Sequence, residues 1–144
     1  MTMQKLLYLF SFLMLSVVAC TKEDKDPDAT PKNIAGVYRI SDMEAQATGA
    51  DKVNVYNQLT ECQQNDTWDF DEDGTFLYGG VATNVCQSED SEGYWSLDGK
   101  TFTIETDQNT TAYRLERFTG KNLVLSTNGT LNGGPAKYFI TFTK

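Results

Sequence analysis

Three cysteines (Cys20, Cys62 and Cys86), two tryptophans and seven tyrosines hold the reactive and polarisable chemistry of this 144-residue chain, which contains no histidine. Without histidine there is no Ser–His or Cys–His nucleophile, no imidazole general base and no imidazole metal ligand. The carboxylates fall on turns and on the polar phase of the strand pattern, where a carboxyl keeps an ordinary pKa. No glycine loop of the nucleotide-binding type is present. The chain therefore reads as a non-enzyme that needs no cofactor and no metal. One segment deserves a second comparison: Asp69-Phe70-Asp71-Glu72-Asp73-Gly74 opens like an EF-hand calcium loop. Its twelfth position is Gly80 rather than the bidentate glutamate, so a polar hairpin tip is the better reading. The sequons at Asn65, Asn109 and Asn128 are read as chance.

The N-terminus carries an address. Lys5 precedes an uncharged run of 13 residues, Leu6 to Val18. That run is too short to span a bilayer comfortably but right for the apolar region of a secretion signal. It ends in Val17-Val18-Ala19-Cys20, which resembles the lipobox of bacterial lipoproteins. The resemblance implies cleavage before Cys20, a diacylglyceryl group on its thiol and a further acyl chain such as palmitate. Residues 1–19 are then the signal peptide, and Cys20 anchors the chain to the cell envelope as an outer membrane lipoprotein. Residues 20–33, with two prolines and alternating charge, read as a flexible, solvated tether. Within them Lys22-Glu23-Asp24 resembles the export signal of surface lipoproteins in the Bacteroidetes; surface and periplasmic positions both stay open. Loss of residues 1–19 removes Lys5 as their one charged group and takes the net charge from −8 to −9. Such a surface repels nucleic acid and anionic lipid alike, leaving the acyl chains to hold the membrane.

With Cys20 given to lipid, Cys62 and Cys86 are an even remainder in an oxidising compartment, which suggests a disulfide. A metal pair would lack further cysteine or histidine partners. Closing a loop of about 25 residues contributes roughly 3.5 kcal/mol in the chain-entropy treatment, as an upper value.

From Ile34 onward, eight segments alternate with period two between turn signals: Gly36–Ser41, Thr67–Asp71, Thr75–Gly79, Gly93–Leu97, Thr101–Thr106, Ala112–Phe118, Leu123–Thr127 and Ala136–Thr143. Lys52 to Gln58 reads as irregular or as a single short turn. One phase of the alternation holds Tyr38, Ile40, Trp68, Phe70, Phe76 and Tyr78, then Trp95, Leu97, Phe102, Ile104, Tyr113 and Leu115. It finishes with Leu123, Leu125, Tyr138, Ile140 and Phe142, so it contains no charge and is mostly aromatic. The other phase is largely polar, with Leu77, Tyr94, Val124 and Phe139 among its exceptions. One dry and one wet face are what a closed or double-layered antiparallel sheet requires. Asp71 to Thr75 suits a three-residue hairpin loop with Gly74 left-handed, which sets Phe70 opposite Phe76 and Trp68 opposite Tyr78. Extended backwards, that register brings Cys62 opposite Asn84, close to Cys86. Further hairpins are expected at Asp98–Lys100 and Thr119–Asn122, and a looser connection over Asn128–Pro135. Short links favour an up-and-down meander.

The order of these pieces resembles the lipocalin-like domain of small bacterial lipoproteins. The matching residues are Ile34-Ala35-Gly36-Val37-Tyr38-Arg39-Ile40, Cys62, Asp66 to Phe70, Asp73 to Phe76, Cys86, Gly93 to Leu97, Tyr113-Arg114-Leu115, Asn122 to Ser126 and Tyr138 to Phe142. The resemblance implies an all-β, eight-stranded antiparallel barrel over residues 34–144. Where lipocalins have Gly-x-Trp this chain has Gly36-Val37-Tyr38, and no arginine is assigned to the place over that ring. A barrel of eight strands is either filled by its own side chains or holds one small ligand. If hollow, its wall of Tyr38, Trp68, Tyr78, Trp95, Tyr113 and Tyr138 suits a small hydrophobic or amphipathic molecule. If filled, the barrel becomes a protein- or glycan-interaction module working through its outer loops, with a partner the sequence does not name. The anchor has a direct check. Cys20→Ser should move the protein from the membrane fraction to the soluble fraction of the producing bacterium, and undiminished membrane retention would contradict it.

Overall fold

The computed structural model describes residues 26–80, 86 and 90–144. The signal segment, Cys20 and the first part of the tether lie outside these residues, as does Asn84. Nine strands form among the described residues: β1 (Gly36–Ala47), β2 (Lys52–Asn54), β3 (Thr67–Phe70), β4 (Thr75–Gly79), β5 (Ser91–Asp98), β6 (Thr101–Thr106), β7 (Thr110–Phe118), β8 (Asn122–Leu131) and β9 (Gly134–Thr143). Each of β3 to β8 pairs antiparallel with the next, and β1 pairs with both β3 and β9. This closes the expected eight-stranded up-and-down barrel. Closure matters because an open edge would leave a row of unpaired amides. Of the seventeen positions assigned to the dry face, eleven are buried, six are half-buried and none is exposed, so the period-two reading placed the register correctly.

The hairpin at Gly74 has the anticipated pairing, Phe70 with Phe76 and Trp68 with Tyr78, and Gly74 has φ +90°. Asp73 braces the turn. Asp73 accepts from the Thr75 amide at 2.9 Å and the Thr75 hydroxyl at 2.8 Å, bonds that hold its carboxyl below the ordinary range.

Four features depart from the sequence reading. Strand β1 runs on to Ala47, with a bulge at Ser41 that shifts the pairing with β9 between Ile40 and Asp42; beyond it Ala45 becomes the buried residue. A second bulge at Glu116 turns Phe118, which shares the outer parity of Arg114 and Glu116, into the core. The supposedly loose Asn128–Pro135 segment is strand, and β8 and β9 meet at a two-residue turn, Asn132-Gly133, with φ +53° and +82°. Both residues left-handed is the geometry that matches strand twist in a tight hairpin. The region read as irregular contains β2, which pairs with Glu44–Gln46, and a 3-10 turn, Tyr56–Gln58.

Two short helices add to the barrel. Helix α1 (Pro31–Ile34) is capped by Thr30 and occupies the end of the expected tether. Its Ile34 is fully buried in the barrel end. Helix α2 (Glu61–Asn65) begins with a capping box between Thr60 and Gln63. Cys62 therefore sits on a helix, not on an extension of β3. It nevertheless bonds to Cys86, with Cα atoms 5.5 Å apart.

The two barrel ends differ. At one end lie α1, the C-terminal Lys144 and the tips of the β3–β4, β5–β6 and β7–β8 hairpins. Tyr38 donates its hydroxyl to the Ile34 carbonyl at 2.6 Å. The Lys144 ammonium lies 5.2 Å from the centre of the Tyr38 ring and donates to the Asn33 and Ala35 carbonyls at 3.1 and 2.8 Å. Lys144 is thus the cation over the first-strand ring, a role no arginine fills. Gly36 makes room for it: φ is +142°, and a Cβ there would meet Lys144 Cε at 3.0 Å. Trp95 donates its indole N–H to the Asp71 carbonyl at 2.8 Å.

Inside this capped half the rings form a continuous lattice. Phe70 lies 5.8, 5.4, 5.6 and 5.3 Å from the ring centres of Tyr38, Phe76, Trp95 and Phe102. Deleting its ring should be costly: Phe70→Ala is expected to lose about 3–5 kcal/mol in urea unfolding. Leu77→Ala on the exposed face of β4 should stay within about 0.5 kcal/mol; equal losses would contradict this packing.

Outside the barrel, Glu116 accepts from Lys137 Nζ at 2.6 Å and from the buried Ser126 hydroxyl at 2.7 Å. The Lys137 bond, with that from Ser126, lowers the Glu116 pKa below its ordinary 4.5. A depressed carboxyl contributes stability that is complete above the unfolded-state pKa and is lost as pH falls through the folded one. Glu116→Gln should therefore cost about 1 kcal/mol at neutral pH, modest because Lys137 is solvated. The cost should shrink as pH falls below 4.5 and disappear once the carboxyl is protonated in the folded state too; a pH-independent difference would contradict this assignment.

Candidate functional site

The other half of the barrel is not filled. Its strands end in the β6–β7 and β8–β9 turns and the connections after β1 and β4, and between β3 and β7 they leave an open cup of about 270 Å³. The cup exists because the inward phase becomes small and polar toward this end. Strand β5 contributes Ser91, β6 Thr106 and β7 Thr111, with Asn109 in the turn between. Phe76 and Ile104 are its buried walls, with the half-buried rings of Trp68, Tyr78 and Tyr113 beside them. None of the lining side chains carries a charge.

The polar groups of the cup differ in their commitments. Tyr78 donates its hydroxyl to the carboxylate of Asp66, which is buried at the C-terminal end of α2. Thr106 and Asn109 close the β6–β7 turn upon each other, the Thr106 amide donating to the Asn109 carbonyl at 2.8 Å. Asn109 Nδ2 donates to the Thr111 hydroxyl at 3.3 Å. The Tyr113 hydroxyl has no hydrogen-bond partner among the described residues, and neither has the Trp68 indole N–H, which is also buried. Burial raises the Tyr113 pKa, so its phenol stays neutral and able to donate. The Trp68 ring is held from three sides, at 5.1 Å from Tyr78, 5.2 Å from Phe142 and 5.8 Å from Phe76.

Of the six residues proposed from the sequence, the structure brings Trp68, Tyr78 and Tyr113 together in the cup. Tyr38 and Trp95 belong to the filled, capped half, where their polar atoms are bonded to backbone carbonyls. Burial pushes the Tyr38 hydroxyl pKa up. Tyr138 lies across Gly129 and donates to the Thr130 carbonyl at 2.6 Å. The sequence reading missed Ser91, Thr106 and Thr111. They lie on the inward phase, but small polar residues at strand ends resemble turn residues, and only the closed barrel shows that they leave space. Asp66 precedes β3 in sequence, yet its bond to Tyr78 depends on helix α2, whose C-terminal end it caps.

A larger concavity, about 630 Å³, lies outside the barrel against Val37, Asp69, Leu77, Asp90 and Glu92. Burial, and then the neighbouring Asp71, raise the Asp69 pKa there. It is a groove on the wet face bordered by carboxylates, and it neither encloses a ligand nor uses the barrel interior. The cup is the better candidate. Its stability link is testable: Tyr78→Phe leaves the buried Asp66 carboxylate without its phenol and should cost about 1–3 kcal/mol in chemical unfolding. An unchanged midpoint would show that Asp66 is satisfied otherwise.

The lipocalin-like domain matches residues 34–125. Among solved structures, a lipocalin-like protein from Bacteroides uniformis shares 14% identity and a TM-score of 0.51, covering 78% of this chain and 98% of its own. A protein from Bacteroides eggerthii shares 14% identity at a TM-score of 0.48, covering 76% and 98%. Bovine odorant-binding protein, in complex with a selenium-containing odorant, shares 9% identity at 0.45, covering 85% and 76%. No curated protein matches the sequence.

Proposed function

The chain belongs to the lipocalin-like domain family, and from that premise we propose a cell-envelope lipoprotein whose cup binds or shields a small hydrophobic or amphipathic molecule. The observation that supports this reading most directly is the uncharged cup itself. It joins apolar walls of Trp68, Phe76 and Ile104 to a Tyr113 hydroxyl that has no partner among the described residues. At about 270 Å³ it lies just below the roughly 300–1,000 Å³ of drug-sized sites. It therefore suits a molecule of about one or two rings, or a short chain. A neutral phenol donates to an ether, carbonyl or hydroxyl oxygen. The walls offer no cation to a carboxylate, and the net charge of −8 disfavours anions further. Lipid on Cys20 would hold this barrel at the outer membrane.

A filled interaction module fits the capped half alone. What favours it is the exposure of Val37 and Leu77 beside the outer groove. One experiment separates the two readings. N-phenyl-1-naphthylamine, an uncharged aromatic amine, should bind the purified protein saturably with a stoichiometry of one. Thr111→Phe, which places a ring in the cup, should weaken binding at least tenfold, whereas Leu77→Ala should leave it unchanged. No saturable binding, or weakening by Leu77→Ala alone, would overturn the cup as the ligand site.

A further inference from the structure

Among the described residues, the N-terminal segment meets the barrel at one end only. The Asp26 carboxylate lies 3.4 Å from Arg117 Nη2 at the end of β7, and Pro27 packs over Gly120, where a Cβ would come within 3.1 Å of its ring. Asn33 ties this stretch to itself by donating to the Asp28 carbonyl at 2.8 Å. Ala29 packs on the core cluster and Ile34 is buried within it. Lys144 clamps the end of α1 through the Asn33 and Ala35 carbonyls. All of these contacts are at the capped end; the cup opens at the opposite one.

Chain length then restricts how the barrel can stand. From Cys20 to Asp26 there are six residue steps, which reach at most about 20 Å when fully extended. Strand β8 crosses the barrel from the capped end to the mouth in ten residues, Asn122–Leu131. Ten residues span about 33 Å along a strand, and the tilt of barrel strands reduces this to about 25 Å of height. The hairpin tips at both ends add to that height. Pressing the mouth onto the bilayer would lift Asp26 farther from the membrane than six residues allow.

We propose that the barrel is mounted with its capped end toward the bilayer and its cup facing the aqueous phase, so that ligand enters and leaves from the water side. This rests on the reading of Cys20 as the lipid anchor. The cup then serves to present or collect a molecule outside the membrane, and does not draw it laterally from the lipid.

The test uses the full lipidated protein, extracted from the producing bacterium and reconstituted into phosphatidylcholine vesicles that carry a rhodamine-labelled lipid. A donor dye is attached through Lys100→Cys at the capped end or Gln108→Cys at the mouth, both exposed positions. Energy transfer to the bilayer should be at least twofold more efficient from position 100. Vesicle-bound protein with equal transfer, or stronger transfer from position 108, would overturn the orientation while leaving the anchor intact. Failure to float with the vesicles, together with an intact mass that lacks the acyl chains, would remove the anchor and the orientation together.

Discussion

Phe70 contacts the rings of Tyr38, Phe76, Trp95 and Phe102, and through them it joins four strands in the capped half. Each aromatic pair contributes about 0.5–1.5 kcal/mol beyond the area it buries. More important is the volume those rings occupy. Because they fill one half of an eight-stranded barrel, the remaining interior is a shallow cup and not a through-cavity. Plug, cup and chain entry point all follow from this asymmetry. Ile34 and Tyr38 can seal an end that is already dry, and the side chains toward the other end can become small and polar without exposing the core.

Where the sequence was informative, the reason was periodicity. A residue such as Trp68 or Phe102 must face inward when its neighbours on both sides are polar, and a one-step error would have buried charge across a whole strand. The Gly74 turn then fixed the pairing of β3 with β4. The bulges at Ser41 and Glu116 were not legible, because an extra residue costs the pattern only one step and Phe118 simply resembles an exposed aromatic. Two missed features did have signals. Thr60-Glu61-Cys62-Gln63 is the pattern of a capping box, and Asn132-Gly133 is a strong hairpin signal. Both were overshadowed, the first by extending β3 backwards and the second by the glycines around it.

The candidate site was half legible for a related reason. Trp68, Tyr78 and Tyr113 follow from counting along strands, but the choice between a lining residue and a filling one depends on axial level. Tyr38 and Trp95 share the inward phase with the cup residues and lie in the other half of the barrel. Their chemistry also differs from that of Tyr113. Each has its polar atom committed to a backbone carbonyl, as a buried donor requires, whereas the Tyr113 hydroxyl has no partner among the described residues. A dry face therefore specifies a barrel, while the levels at which that face becomes polar specify where a guest fits.

The central claim is that one half of the barrel is packed and the other accepts a guest, and the two tryptophans report on the two halves separately. Heavy-atom quenching by bromobenzene, which acts only at contact, can be measured in Trp95→Phe protein, where Trp68 emits, and in Trp68→Phe protein, where Trp95 emits. The account predicts strong, saturable quenching of Trp68 and little quenching of Trp95. Equal quenching of both, or quenching confined to Trp95, would contradict it.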